Sequence, residues 1–164
     1  MASIAGKPVR LLALALGVVI ALGVLFYPTD EKRVRQAAEA LLDAANAGPG
    51  ELSSALERYA GSNVRLDVTE LPEPIIGREA LALAVRQARE LEPNLRFRFE
   101  GMEVAVEGKR ARLRADLITS LRPEVPELRR PRHTSALFEK HGERFQLISA
   151  EVGGERLDQP EARP

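Results

Sequence analysis

The hydrophobic pattern of the chain begins with one long apolar run. Leu11 to Tyr27 carry no charged or strongly polar side chain, and a helix of this length, at about 1.5 Å per residue, spans roughly 26 Å. The hydrocarbon core of a bilayer is about 30 Å thick, so the run predicts one transmembrane helix over residues 11–27, behind a cytoplasmic N-terminus of residues 1–10. Lys7 and Arg10 precede the run and Asp30 follows it, which favours export of the rest of the chain.

A cleaved secretory signal is the competing interpretation of the same run. Ala21 and Gly23 have the small-x-small spacing that a signal peptidase requires, but the apolar run continues past them to Tyr27. The anchor is therefore the preferred interpretation. It places the protein in a bacterial inner membrane with one span, and its C-terminal domain on the periplasmic or extracytoplasmic side.

Three amphipathic helices are predicted after the apolar run. The first begins at Thr29, a typical N-cap residue, and ends at Gly48. The second runs from about Glu51 to Tyr59 and the third from about Gly77 to Leu91, each with apolar residues at helical spacing. Their apolar positions are Val34, Ala37, Ala38, Leu41, Leu42 and Ala45 in the first helix, Leu52, Leu56 and Tyr59 in the second, and Leu81, Val85, Ala88 and Leu91 in the third.

Alternation of apolar and polar residues predicts the strands. Residues 64–68 form a short half-buried strand between the second and third helices. After Pro93 the period changes to two, and the apolar phase then shifts by one residue at Gly101. Such a shift at a glycine is typical of a β-bulge, so residues 95–107 are predicted to form one long bent strand.

Two hairpins complete the predicted sheet. The first turns at Gly108-Lys109, a two-residue loop with glycine in the first position, and the second turns at His141-Gly142. The connector of residues 121–132 carries three prolines and is excluded from the sheet, and residues 153–164 are predicted as a disordered tail. The predicted pairs are Val106–Ala111, Val104–Leu113, Met102–Ala115, Glu107–Arg110, Ala105–Arg112 and Glu103–Arg114 in the first hairpin, and Lys140–Glu143, Phe138–Phe145, Ala136–Leu147 and Glu139–Arg144 in the second.

Composition narrows the classes of function. Lys plus Arg and Asp plus Glu both number 24, so the formal net charge is zero, which argues against nucleic acid as a partner. The absence of Cys excludes a disulfide framework, an acylated lipoprotein cysteine and a thiolate zinc site. His133 and His141 do not have a recognised metal-ligand spacing. We therefore expect neither a metal nor a cofactor.

Two segments carry a family resemblance: Ile76 to Leu81 (IGREAL) and Glu139 to Ile148 (EKHGERFQLI). With the order of elements over residues 30–152, they resemble the start of the third helix and the closing hairpin of the nuclear transport factor 2-like superfamily, also called SnoaL-like or cystatin-like. The resemblance implies an α+β fold, in which a curved antiparallel sheet packs against about three helices to form a cone.

The resemblance leaves two classes of function open. The family includes isomerases, dehydratases, hydrolases and polyketide cyclases, but also binding and assembly modules, some of which sit on one N-terminal membrane helix in bacterial secretion systems. An enzyme of this type needs a carboxylate inside the cone as general base. Alternation places no titratable side chain on the inner face of the sheet and turns Asp67 and Asp116 outward. A non-catalytic module is therefore favoured, and the alternative, a tethered enzyme acting on an apolar small molecule, requires Asp67, Glu70 or Asp116 to reach the pocket.

Two groups of residues are candidates for binding, and no catalytic residue is assigned. The first would line a pocket for an apolar small ligand. The second is a basic cluster that could contact an anionic ligand, a lipid headgroup or an acidic protein partner. The pocket candidates are Tyr59, Phe97, Phe99, Leu113 and Phe138, and the cluster consists of Arg129, Arg130, Arg132 and His133.

The predicted partners are the lipid bilayer, through residues 11–27, and a protein or a small apolar ligand. Arg110, Arg112 and Arg114 make the outer face of the sheet charged. Dimers in the family often pack through that face, so a homodimer of this chain would have to be polar and is not assumed.

Overall fold

The computed structural model describes residues 28–120 and 130–155. The predicted transmembrane helix, most of the connector and the last residues of the predicted tail lie outside these ranges. None of the helices within them is long and apolar enough to cross a bilayer. The elements are the helices α1 (Asp30–Ala47), α2 (Pro49–Tyr59) and α3 (Arg78–Leu91) and the strands β1 (Ala60–Val68), β2 (Ile75–Ile76), β3 (Arg96–Glu107), β4 (Arg110–Ser120), β5 (Arg130–His141) and β6 (Arg144–Glu155).

The strands form a six-stranded sheet in the order β2-β1-β6-β5-β4-β3. The sheet is antiparallel except between β1 and β6, which run parallel, so the fully antiparallel sheet expected from the sequence is corrected at this one pair. A parallel neighbour needs a long crossover, which α3 and the two hairpins provide. The α+β fold with three helices against a curved sheet is confirmed.

The start of α1 follows its sequence signals. The Thr29 hydroxyl accepts a hydrogen bond from the Lys32 amide at 3.3 Å, as an N-cap does. Asp30 and Glu31 occupy the first turn, where carboxylates interact favourably with the helix dipole. Val34, one turn further, is completely buried against the sheet.

The IGREAL segment joins α3 to the sheet. Ile76 pairs with Arg65 of β1, and Gly77 then turns the chain with a φ of 94°, a conformation that favours glycine. The Arg78 guanidinium donates from Nε and Nη2 to the carbonyl of Ala60, at 2.9 and 2.5 Å. The segment therefore has a structural role at the junction of α2, β1 and α3.

An asparagine side chain covers part of the free edge of β3. Nδ2 of Asn46 donates to the Phe97 carbonyl at 2.7 Å, and the Phe97 amide donates to Oδ1 of Asn46 at 2.9 Å. Further along the edge, Nη2 of Arg35 donates to the carbonyl of Met102 at 3.1 Å. Unpaired edges invite association with other chains, and here α1 satisfies these groups from within the molecule.

The first hairpin has the predicted register from the Glu103–Arg114 pair to its turn, whereas the predicted Met102–Ala115 pair falls in the bulge. Val106 lies opposite Ala111, and the pairing shifts between Glu100 and Glu103, around Gly101 with its φ of 61°. Gly108, the first residue of the turn, also has a positive φ of 60°.

The predicted register of the second hairpin is wrong. The turn lies at Gly142-Glu143, so His141 pairs with Arg144 and Phe138 pairs with Leu147. A two-residue turn of this kind needs its positive φ at the first residue, which Gly142 supplies with 61°. The partner of Phe138 moves by two residues along β6, an even number, so Phe138 and Phe145 both still point inward.

Three other predictions are corrected. β5 begins at Arg130, inside the predicted connector, since proline is tolerated near the start of a strand and Pro131 is the second residue. β6 extends to Glu155, into the predicted tail. Leu91 is 82% exposed, because it is the last residue of α3 and lies beyond the packed part of the helix.

The core has two connected parts. One lies between α1 and the sheet and includes Phe138 and Phe145; the other joins the end of α1, α2 and β1 around Leu56 and Val64. Half-buried Leu147 packs against both.

Candidate functional site

An apolar cavity of about 150 Å³ lies between the helices and the inner face of the sheet. Its sheet side is formed by residues of β3, β4, β5 and β6, and its helix side by residues of all three helices. The lining side chains are Ala38, Leu41, Leu42, Ala45, Leu52, Leu56, Leu81, Val85, Phe99, Leu113, Thr134, Ala136, Phe138, Leu147 and Ala150.

From the exposure of its lining residues, we infer that the cavity opens between α1 and α3. On the sheet side, Leu113 and Phe138 are at most 1% exposed, whereas Leu42 of α1 and Val85 of α3 are only half-buried. These two helices make few direct contacts with each other, since α2 packs against both. A ligand would therefore enter between the two helices and end against the buried sheet.

Thr134 contributes the single polar side chain among these lining residues. It is 4% exposed, and its hydroxyl donates to the carbonyl of Arg132 in its own strand at 3.3 Å. Because the hydroxyl proton is already used in this hydrogen bond, Thr134 has no free donor to offer a ligand. The other lining side chains present only hydrocarbon to a ligand. Burial of apolar ligand surface, at about 25 cal/mol per Å², is the interaction that this lining provides.

A second depression, of about 240 Å³, adjoins the cavity and shares Ala45, Leu52 and Val85 with it. Arg86 and Arg89 of α3 lie at this depression. Nη1 of Arg89 donates to the carbonyls of Ala45 and Asn46 at 3.0 and 2.9 Å, which satisfies carbonyls at the C-terminus of α1.

The five predicted pocket residues do not all reach the cavity. Phe99, Leu113 and Phe138 line it. Phe97 packs instead in the core around α2. Tyr59 packs against the core under α1, with the guanidinium carbon of Arg58 at 5.2 Å from its ring centre.

The helical lining and Thr134 were not singled out from the sequence. Periodicity predicts Leu41, Leu81 and Val85 as apolar helix positions, but it does not distinguish a residue that fills the core from one that borders a cavity. Thr134 had a usable signal, because the alternation that turns Ala136 inward extends to it once β5 is known to begin at Arg130.

The three carboxylates that would indicate an enzyme lie outside the cavity lining, each near a basic group. Asp67 accepts from Nε and Nη2 of Arg65 at 2.7 and 2.9 Å, and these hydrogen bonds lower the pKa of the Asp67 carboxyl. Glu70 pairs with Arg132 at 2.7 Å. Asp116 is 3.6 Å from Nδ1 of His133. A lowered pKa makes Asp67 a weaker base, the opposite of what proton abstraction requires.

The inner face of the sheet carries two cations, although no titratable side chain is predicted there. Lys140 pairs with inward-facing Phe145 and reaches Asp30 at 2.8 Å. Arg132 lies opposite Leu117 at the other end of β5 and pairs with Glu70. The prediction of an inner face without titratable groups is thus wrong at the two ends of β5. Cations are tolerated there because each forms an ion pair at the rim of the sheet, away from the apolar core.

The predicted basic cluster is not one surface. Arg129 lies outside the described residues, and Arg130 begins β5. Arg132 and His133 are successive strand residues, so their side chains point to opposite faces, and each lies near an acidic residue.

Two larger surface depressions contain none of the predicted pocket residues. One of about 540 Å³ includes Glu57, Arg78 and Glu79, and one of about 460 Å³ lies on the outer face by Glu103 and Arg112. Within residues 28–120 and 130–155, no group of three His, Asp or Glu side chains could hold a metal ion.

Comparison with known proteins supports the fold. No protein-family model and no curated protein matches the sequence. Among solved structures, the chain is similar to a cystatin-like protein of unknown function from Nostoc punctiforme, with a TM-score of 0.64, 11% identity and coverage of 78% of this chain and 92% of that one.

Two other similar structures carry the family name. An NTF2-like protein with a cystatin-like fold from Novosphingobium aromaticivorans has a TM-score of 0.63 and 17% identity, over 99% of this chain and 95% of that one. An NTF2-like protein of unknown function from Pseudomonas putida has a TM-score of 0.63 and 11% identity, over 75% and 84%. The chain thus has the nuclear transport factor 2-like, cystatin-like fold, and at these identities the likeness extends to the fold alone.

Proposed function

We propose that this protein is a membrane-anchored, exported domain that acts as a non-catalytic binding module and holds a small apolar ligand between α1, α3 and the sheet. The lining of the cavity carries the proposal: each of its side chains except Thr134 is hydrocarbon, and the Thr134 hydroxyl is already hydrogen-bonded within its own strand. Such a site selects a ligand by size and hydrophobicity.

The volume of the cavity sets the size of the ligand. A cavity of about 150 Å³ lined by apolar side chains is large enough for a molecule such as benzene. We therefore propose a single ring, or a short branched or acyl chain, as the part of the ligand that enters. A longer molecule would extend into the adjoining depression at Arg86.

The alternative, a tethered enzyme, would need an ionisable group at the cavity. The pairing of Asp67 with Arg65, and of Glu70 with Arg132, supports the binding module over this alternative, because both carboxylates are engaged in ion pairs at the surface and neither lines the cavity.

Membrane anchoring and export rest on the apolar run of residues 11–27 and on the cations that precede it. We expect a periplasmic reporter fused to the C-terminus to be active and a cytoplasmic reporter at the same position to be silent. The opposite pattern would contradict the proposed orientation.

Benzene is the direct probe for the cavity. We expect saturating benzene to raise the Tm of the wild-type protein, and at ten times its Kd the stabilisation should be about 1.4 kcal/mol. Ala136→Val, which adds two methyl groups to the lining, should abolish this rise.

The matched control is Ala115→Val. Ala115 is 3% exposed on the neighbouring strand and points to the same face, but it does not border the cavity, so its variant should keep the benzene response. Equal responses in both variants would place benzene elsewhere, and no response in the wild type would contradict the proposed ligand class.

A further inference from the structure

The two hairpin turns and the first turn of α1 meet at one end of the domain. The amide of Lys140 donates to the carbonyl of Lys109 at 2.7 Å, which joins the turns to each other. Nζ of Lys140 is 2.8 Å from a carboxylate oxygen of Asp30, and Nη1 of Arg33 is 2.7 Å from one of Glu143. We call this end, formed by residues 30–33, 107–110 and 140–144, the tip end.

The contacts at the tip end are positioned to hold the turns against the helix. Both partners of the Lys140–Asp30 ion pair are about one-third exposed or less, at 26% and 33%, so solvent screens this pair less than it screens fully exposed pairs. Arg33 is 15% exposed but its partner Glu143 is 76% exposed, so that pair lies at the surface. Nη1 of Arg33 also donates to the backbone carbonyl of Glu143 at 3.3 Å. The second hairpin is therefore fixed to α1 through both a side chain and the backbone.

The predicted membrane segment ends close to this place. Only Pro28 and Thr29 separate Tyr27 from Asp30, and three steps of 3.8 Å put these two Cα atoms at most about 11 Å apart. The headgroup layer on each side of a bilayer is roughly 5–8 Å thick. A bilayer-spanning segment that ends at Tyr27 therefore holds Asp30, and with it the tip end, at or just beyond the lipid headgroups.

The charges of the tip end suit an anionic lipid surface. Asp30 and Glu143 are neutralised by Lys140 and Arg33, and Glu107 lies opposite Arg110 in the register. The remaining side chains at this end include one acid, Glu31, and three exposed cations: Lys32, Lys109 and Arg144.

We propose that the tip end rests on the bilayer and that Lys109 and Arg144 contact the phosphates of anionic lipids. This orientation rests on the membrane anchoring proposed above. It also fixes where the cavity lies: α1 has 18 residues and is about 27 Å long, and the cavity borders its second half, from Ala38 to Ala45. The ligand thus enters from the aqueous phase, away from the membrane.

The absence of Cys from these 164 residues permits a single-label experiment on the whole chain. His141→Cys at the tip end and Asn94→Cys in the turn before β3 are both exposed positions, and each would carry the same fluorophore. The chain is reconstituted into phosphatidylcholine vesicles with phosphatidylglycerol and a headgroup-quencher lipid. We expect strong quenching at position 141 and at least about threefold weaker quenching at position 94, because α1, about 27 Å long, separates the two ends and keeps position 94 out of contact with the headgroup quencher.

A charge-reversal arm tests the lipid contacts. Lys109→Glu with Arg144→Glu should reduce quenching at position 141 in vesicles that contain phosphatidylglycerol, and should change it little in pure phosphatidylcholine. The control is Arg86→Glu, an exposed residue beside Gly48 at the far end of α1, which should leave quenching unchanged in both.

The outcomes separate the orientation from the anchoring. A chain that floats with the vesicles but is quenched equally at positions 94 and 141, or more at 94, keeps the anchor and overturns the orientation. A chain that does not float overturns both. Equal effects of the charge reversal in the two lipid compositions would overturn the anionic contacts.

Discussion

The two faces of the sheet differ in burial. On the inner face, Leu113 of β4 and Phe138 of β5 are at most 1% exposed. On the outer face of β4, the residues on either side of Leu113, Arg112 and Arg114, are exposed. Inside, the stabilising interaction is burial of hydrocarbon, at about 25 cal/mol per Å². Outside, Glu103 lies opposite Arg114, and exposed pairs of this kind contribute about 0–1 kcal/mol each. One sheet is thus sensitive to the size of a side chain on one face and tolerant of substitution on the other.

The bulge in β3 keeps apolar side chains on the inner face of the sheet and charged side chains on the outer face. Phe99 before Gly101 and Met102 after it both pack against the inner core, although strict alternation would turn one of them outward. The extra residue at the bulge restores the inward direction and bends the strand. The curvature that encloses the cavity and the segregation of charge from hydrocarbon therefore depend on the same residue.

The largest effect is expected inside. Leu113→Ala removes a side chain that is 0% exposed and borders the cavity, so the existing cavity grows and the free energy of unfolding should fall by about 2–5 kcal/mol. Arg112→Ala, the adjacent residue on the outer face, should change it by less than about 0.5 kcal/mol. Urea denaturation of both variants measures the difference, and similar losses would contradict the contrast between the faces.

An intermediate effect is expected at the bulge. Gly101 has a φ of 61° and open space where a Cβ would stand, so a substitution there is opposed by backbone strain alone. Gly101→Val should lower the free energy of unfolding by about 1–3 kcal/mol. Gly101→Asn should cost less, because asparagine tolerates this conformation better than β-branched residues do. Thermal unfolding of the two variants measures the ranking, and a valine variant as stable as the wild type would refute the role of the bulge.

The smallest effect is expected on the outer face, at Asp67. Its hydrogen bonds from Arg65 lower the pKa of its carboxyl in the folded protein, so the pair stabilises the fold above the unfolded-state pKa, and this contribution is lost as pH falls through the folded-state value. Between about pH 7 and about pH 3, the wild type should therefore lose slightly more stability than Asp67→Asn. Glu73→Gln, in an exposed loop, is the control and should follow the wild type.

The sequence by itself was sufficient for the elements and for the directions of most strand residues. Thr29 and Gly48 mark the ends of α1, and the phase shift at Gly101 located the bulge, because caps, turns and alternation are local properties of the backbone. The inward direction of Phe138 was correct even with the wrong hairpin register, since side-chain direction depends only on whether the shift is odd or even.

Only the tertiary structure shows which apolar residues border a cavity and which charged side chains form ion pairs at its rim. Leu81 and Leu113 are indistinguishable in sequence from residues that only fill the core, because a cavity arises from how separate elements fit together. Lys140 could be placed on the inner rim only when Asp30, 110 positions away in the chain, was found beside it. Local patterns determine the secondary structure of each segment. Contacts between residues that are distant in sequence depend on how the segments pack together, so no local pattern predicts them.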